Sequence, residues 1–409
     1  MTGQYIDMKA GDGSGSFRGY LALPAGGSGP GLVLAQEIFG INSTMRDVAD
    51  YYAEEGYVVL VPDIFWRQEP NVELGYTEAD WQRAFGYFQG FDEAKGMQDI
   101  QTAITTLRAR AEVTGKVGVL GFCLGGKLAY LAACRTDADV AVGYYGVGID
   151  AALGEADSIK SPLVLHIAEL DKFCPPEARD KIVQTLKGRP NIALHVYPGM
   201  DHAFARLGGE HYDKASALMA HERTIGALKA AMGPHYDLSA LWDKHCEYEF
   251  GTRNVDDTMS TMVAEPYVNH IPTMTGGVGY KQLHHFYSDH FVNSNPPDTA
   301  LTPISRTVGA TQVVDEMLFT FTHTTEIPWM LPGVAPTGKR VEVPLLAVIK
   351  FRGNKLYHEH IYWDQASVLV QVGLLDPKLL PVAGIETARK LLDETLPSNA
   401  LMPDWKDVA

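Results

Sequence analysis

The sequence predicts two domains of different class: an α/β domain with a mostly parallel sheet over residues 1–233, then an α+β domain over residues 234–409. Three observations carry this expectation. A chain of 409 residues exceeds what one hydrophobic core comfortably holds. Up to about residue 230, short apolar runs alternate with helix-like stretches, the pattern of parallel strands covered by helices. Near Pro234-His235-Tyr236-Asp237 that alternation stops, and helical patterns are followed by long β-rich runs.

In the first half, residues 19–23 read as an early strand closed by Pro24 and a glycine-rich loop. Residues 31–36 form a buried strand that ends at Glu37-Ile38-Phe39-Gly40, and a helix over 43–55 stops at Gly56. Residues 57–61 are the next strand, ended by Pro62-Asp63. Residues 77–99 have helical spacing with a break near Gly90, and 97–110 continue as a crossover helix. Apolar runs at 116–120, 140–145, 163–167 and 192–197 complete the strand set, and an amphipathic helix spans 212–232. In the second half, 238–262 read as helix interrupted near Gly251, and 279–290 as a further helix. Strands follow at 304–308, 311–324, 341–352 and 355–363, with a last helix over about 384–394. Such an order suits a curved sheet folded over helices, and no repeat relates the halves.

Bulk properties narrow the function classes. An apolar fraction of 46% with 21% charged residues describes an ordinary soluble globular chain. The net charge of −16 argues against nucleic acid or an anionic membrane as partner, since both require a basic face. No basic-then-apolar leader and no apolar run long enough for a bilayer are visible. Four irregularly spaced cysteines do not make a disulfide framework, so a reducing cytoplasm is the expected location.

The chemistry concentrates at strand ends. Gly121-Phe122-Cys123-Leu124-Gly125 stops an apolar run and precedes a helix-forming segment, so small residues flank a side chain forced out of a sharp turn. Backbone N–H groups at the helix start favour both a thiolate and an oxyanion there. Taken alone, the stretch also fits a common strand–glycine–helix connection with a buried cysteine. Asp171 and His202 follow two later strands, and ligands of open α/β sheets bind beyond the carboxyl ends of strands. Nucleophile, acid, histidine is the chain order of α/β-hydrolases. Singly, Asp171 also suits a cap ahead of Pro175 and Glu177, and His202 an ordinary loop histidine. Cys134 and Cys174 read as small apolar fillers, and His166 and His195 as core histidines.

Four stretches together resemble the dienelactone hydrolase (carboxymethylenebutenolidase) family, which has the α/β-hydrolase fold. They are Ala35-Gln-Glu-Ile-Phe-Gly-Ile-Asn42, Gly121-Phe-Cys-Leu-Gly-Gly126, Ala141-Val-Gly-Tyr-Tyr-Gly-Val-Gly148 and Asp201-His-Ala-Phe-Ala-Arg206. The resemblance covers residues 1–230. It implies a Cys123–His202–Asp171 triad that opens an unsaturated lactone or related small ester through an acyl-enzyme. It also implies that Glu37 holds the resting thiol neutral until substrate displaces it; a structural salt bridge from Glu37 to Arg46 or Arg206 is the competing role. Ile38 and Leu124 are placed to supply the oxyanion N–H groups. Arg206, four residues after His202, suits a substrate carboxylate, so an anionic substrate is expected. The family has a second arginine on a helix where this chain has Trp81; Arg83 lies two residues on, roughly 200° around that helix. Tyr145, Trp66, Phe39 and Phe204 are candidate pocket walls.

The second half resembles the SnoaL-like polyketide-cyclase group of the nuclear-transport-factor-2-like cone fold. Val313-Val-Asp-Glu-Met-Leu-Phe-Thr-Phe-Thr-His323 and residues 348–364 carry the likeness. Along the last strand His358, His360 and Tyr362 share one face, with Glu359, Ile361 and Trp363 on the other and Asp364 just beyond. A polar interior built from His270, His323, His360 and Asp364 is the expectation, suited to acid–base chemistry or simply to water. His358-x-His360, with His284, His285 and His290, raises a metal site, but no cysteine or carboxylate lies at a telling spacing, so no metal and no cofactor are expected. Homodimerisation through this domain is an equal reading. The competing functions are a degenerate hydrolase half that only binds ligand, and a second domain that is itself the main cyclase or isomerase.

Overall fold

The computed structural model describes residues 3–406. They divide into two compact units, with the boundary between His235 and Tyr236. In the first unit eight strands form one sheet: β1 (Gln4–Lys9), β2 (Ser16–Ala22), β3 (Gly29–Ala35), β4 (Val58–Pro62), β5 (Val113–Phe122), β6 (Ala141–Tyr144), β7 (Leu163–Ala168) and β8 (Ile192–Tyr197). Their order is β1-β2-β4-β3-β5-β6-β7-β8. β1 and β2 are antiparallel at one edge, and β3 to β8 run parallel.

The reason lies in the side chains. β3, β4 and β7 are buried along their whole length, as strands covered on both faces must be. One face packs Leu32, Leu34, Val59 and Val61 against the helices Ser43–Glu54 and Lys214–Met232. The other packs Val33, Leu60, Val119 and Leu165 against Glu93–Arg108, Leu124–Arg135 and Pro176–Leu186. The single interrupted helix expected over 77–99 is two helices, Glu78–Gln89 and Glu93–Arg108. Asp92 makes the division, because its carboxylate accepts the Lys95 N–H and starts a new helix.

The second unit has a six-stranded sheet of β9 (Met262–His270), β10 (Thr275–Val278), β11 (Ala300–Val308), β12 (Gln312–Thr322), β13 (Arg340–Arg352) and β14 (Lys355–Trp363), ordered β10-β9-β14-β13-β12-β11. β9 pairs in parallel with β14, and every other pair is antiparallel. Register shifts at Pro303/Ser305 and Lys350/Phe351 bend the long strands. The inner face, including Met317, Phe319, Leu345 and Ile361, closes over Trp242, Leu283 and Phe291 from the helical side. The sequence pattern assigns no strand to 263–278, yet β9 and β10 lie there; Glu265, Pro266 and Asn269 interrupt the alternation that marks a strand. Among the described residues no helix is long and apolar enough to cross a membrane.

Candidate active site

Cys123 sits where β5 ends and helix Leu124–Arg135 begins, with φ 57° and ψ −117°. An L-residue rarely adopts that conformation, and a sharp strand-to-helix turn imposes it. Glycine on both sides makes the turn possible. A Cβ on Gly121 would lie 2.0 Å from the Gly125 carbonyl oxygen, and one on Gly125 would lie 2.1 Å from that of Ala35. The Gly125 N–H donates to the Gln36 carbonyl at 3.1 Å, which pins the loop after β3 against the elbow. Glu37 and Ile38 follow directly from that anchored point. As the first helical residue, Leu124 keeps its N–H outside the intrahelical ladder. The Ile38 N–H has no acceptor among the described backbone hydrogen bonds.

Asp171 follows β7 and His202 follows β8, and the two side chains meet: His202 Nδ1 lies 2.7 Å from Asp171 Oδ2. The other carboxylate oxygen, Oδ1, accepts the Phe173 N–H at 2.8 Å, so the carboxylate is fixed in orientation. No side chain caps the helix Pro176–Leu186, which removes the capping role as the reason for Asp171. An ionised carboxylate only accepts, so Nδ1 carries the hydrogen and Nε2 is left for the sulfur. Burial opposes a charge on His202. The negative charges of Cys123 and Asp171, with hydrogen bonds from both, outweigh it and raise the pKa to about 10. Tyr145 and Phe173 set their rings edge-on to the imidazole at 5.0 and 4.9 Å and limit its rotation. Burial, then the nearby Glu37 carboxylate, keeps the Tyr145 hydroxyl well above its ordinary range and hence protonated.

Glu37 is buried, and its Oε2 accepts from Arg206 Nη1 at 3.2 Å. Arg46 is engaged elsewhere, with Glu73 at 2.7 Å. The Arg206 guanidinium lies over the Tyr76 ring at 4.4 Å and within 6.0 Å of the Phe39 ring centre. His202 and Arg206 both line a cavity of about 340 Å³, walled also by Tyr76, Trp81, Phe173 and Leu207. Phe39 backs this wall, with its ring 4.9 Å from that of Trp81. Arg83 does not reach the cavity. Its exposed side chain turns toward Tyr87 and Glu69, because two residues along a helix point to opposite sides. Trp66 is likewise elsewhere, stacked on Phe17 and donating to Asp99, while Phe204 is core packed on Tyr197 and Tyr145. Phe173, Tyr76 and Leu207 carry no motif; Phe173, two residues after Asp171, and Leu207, next to Arg206, have position alone as a signal.

The polar interior expected in the second unit is arranged differently. His270 is buried among Phe286, Phe291 and Trp329, and burial lowers its pKa to about 4, so it is neutral. His323 is buried at the far end of β12, with Nδ1 3.2 Å from Thr337 Oγ1 and burial lowering its pKa. His360 stands on the outer face of the sheet, its ring stacked on His358 at 4.4 Å. Asp364 is exposed and caps the helix Gln365–Val372, accepting from the Ala366 and Ser367 N–H groups. The correction follows from strand parity: Glu359, Ile361 and Trp363 face the core, so His360 cannot. What the interior holds instead is His245 with Glu249 and Glu359, at 3.2 and 3.0 Å from His245 Nε2. His245-x-x-x-Glu249 has the spacing of one helix face, a signal the sequence did contain.

Comparisons with known proteins assign each half of the chain to a family. Residues 17–232, more than half of the chain, match the model of the dienelactone hydrolase family, and residues 243–359 match that of a SnoaL-like domain. A relative from Azospirillum brasilense is 47% identical over 231 residues, covering 56% of this chain and 99% of its own length. The carboxymethylenebutenolidase of Pseudomonas sp. strain P51 is 38% identical over 228 residues, 56% of this chain and 94% of that enzyme. That of Pseudomonas putida is 35% identical over 229 residues, 56% of this chain and 97% of that enzyme. With its strained cysteine elbow and an aspartate-held histidine on a parallel sheet, the chain belongs to the dienelactone hydrolase family.

Proposed function

We propose that the first unit hydrolyses lactones or related small esters through an acyl-enzyme on Cys123, with a dienelactone-type, carboxylate-bearing substrate. The observation that carries this is the His202–Asp171 pair at 2.7 Å, beside a cysteine held at φ 57° on the strand-to-helix turn. With the Sγ proton held on His202 Nε2, the Cys123 thiolate attacks the carbonyl carbon. The N–H groups of Leu124 and Ile38 receive the oxyanion. Collapse breaks the ring C–O bond, and His202 gives its proton to the departing oxygen. Water, deprotonated by His202, then attacks the thioester; the Cys123–acyl bond breaks, the acid leaves and the thiolate–imidazolium pair is restored. Asp171 stabilises the imidazolium in both halves.

Arg206 gives the substrate preference. In the free protein its guanidinium neutralises Glu37. A substrate carboxylate entering the cavity competes for the same donors and would free Glu37. The relatives named carboxymethylenebutenolidase support the lactone class. Turnover of a dienelactone and of a neutral nitrophenyl ester by the full chain tests the reading: Cys123→Ala should lower kcat/KM at least about 1000-fold for both. Unchanged turnover in that variant would remove Cys123 from the chemistry.

A further inference from the structure

The second unit holds a buried constellation that the hydrolase reaction does not use. His245 comes from helix Leu238–Cys246, Glu249 from the π-helical turn Glu247–Gly251 that follows it, and Glu359 from the inner face of β14. All three are buried, and one ligand-type atom from each lies within 4.8 Å of the others. Wide π turns, with their extra residue per turn, occur often at functional sites. Here the turn carries Glu249 inward. A second π turn, Tyr287–Phe291, brings the Tyr287 hydroxyl to Glu359 Oε1 at 3.3 Å.

Hydrogen bonding fixes the imidazole. Thr261 Oγ1 donates to the Thr258 carbonyl at 2.6 Å, so it can only accept from His245 Nδ1, also at 2.6 Å. Nδ1 therefore carries hydrogen, and Nε2 is the atom that faces both carboxylates. An outer partner that holds one ring nitrogen while the other points at a charged centre is the arrangement of metal-binding histidines. Nε2 lies 3.2 Å from Glu249 Oε1 and 3.0 Å from Glu359 Oε1. Neighbouring donors around an ion with bonds of about 2.1 Å sit roughly 3.0–3.4 Å apart.

The charge balance points the same way. A single Nε2 hydrogen cannot serve two carboxylates well, and two buried carboxylates beside one imidazole leave negative charge in excess. Both carboxylates also line a small cavity of about 30 Å³ walled by His270, Phe291, Trp329 and Phe319. That space suits one ion-bound water rather than an organic substrate.

We propose that His245 Nε2, Glu249 and Glu359 form a site for one first-row divalent metal ion, with an open position toward this cavity. One nitrogen and two carboxylate oxygens suit Zn²⁺, Fe²⁺ or Mn²⁺, and a dication makes the site neutral overall. The test uses full-length Cys123→Ala, so that the hydrolase thiol cannot hold the ion. After treatment with chelator it is titrated with Co²⁺ and with Zn²⁺. The expected result is one ion per chain, with visible Co²⁺ bands but no thiolate charge-transfer absorption, which excludes Cys246 as a ligand. Glu249→Gln and Glu359→Gln should weaken binding at least about 100-fold, and Thr261→Ala, which leaves every ligand in place, about 10–100-fold. Failure of the parent protein to bind either ion overturns the proposal. So does binding that survives unchanged in both glutamine variants, which would put the ion elsewhere.

Discussion

Each unit buries an imidazole against carboxylate, and the two assemblies differ in what they face. His202 meets one carboxylate, Asp171, on the far side from Cys123, and lines a cavity of about 340 Å³. His245 meets two carboxylates on the same nitrogen, and the cavity beside them is about 30 Å³. Negative charge raises both histidines to about 10 against the opposing effect of burial. Identical titration behaviour thus accompanies different capacities. An imidazole between a carboxylate and a thiol passes a proton along a line, whereas one that shares its Nε2 with two carboxylates has no acceptor beyond them. The neighbours and the space decide the chemistry, not the pKa.

Several changes probe that contrast. The largest effect expected after loss of Cys123 is at Asp171. Asp171→Asn keeps the shape of the side chain but presents a donor to Nδ1, and kcat should fall by about 10²–10⁴ with KM little changed. A fall below about threefold in steady-state kinetics would mean that the pair only supports the fold. Next is Arg206→Gln, for which KM should rise about 10–100-fold for a lactone bearing a carboxylate and by less than about threefold for a neutral nitrophenyl ester. Equal losses on both substrates would assign Arg206 to holding Glu37 rather than to binding.

pH gives a smaller but signed effect. The folded pKa of His202, about 10, exceeds the unfolded value of about 6.5, so the contribution of the pair to stability is complete below the latter. It is lost as pH rises through about 10. The stability gap between the parent protein and Asp171→Asn in urea unfolding should accordingly be wide at pH 6 and narrow by pH 10; a gap that widens with pH would contradict the assigned charge state. The smallest expected change is Asp364→Ala, which removes a helix cap and should cost about 1 kcal/mol in unfolding experiments while leaving ester turnover intact.

The same contrast explains what the sequence made legible. In the first unit each chemical residue follows a strand, so chain order and position at the sheet edge announce Cys123, Asp171 and His202 together. Glu37 and Arg206 are readable as neighbours of those ends, and a salt bridge from Glu37 to Arg46 or Arg206 is one reading of Glu37; the structure selects Arg206, at 3.2 Å, and gives Arg46 to Glu73. The family resemblance supplied the expectation of a second arginine, and helix geometry explains why Arg83 does not fill that place. In the second unit the parity of β14 was readable, but which face was inner was not. Histidines are conspicuous in a sequence and a lone interior Glu359 is not, so the expected site drew on His360 and Asp364. The π turn that carries Glu249 has no sequence signature. β9 was hidden because Glu265, Pro266 and Asn269 break its alternation.

The most direct measurement is mass analysis of the protein quenched during turnover of a slow ester or lactone. The expected result is an acyl adduct on the peptide containing Cys123, accumulating in Asp171→Asn and missing in Cys123→Ala. Turnover with no adduct on Cys123 in any of these proteins, or an adduct on another residue that persists in Cys123→Ala, would contradict the account.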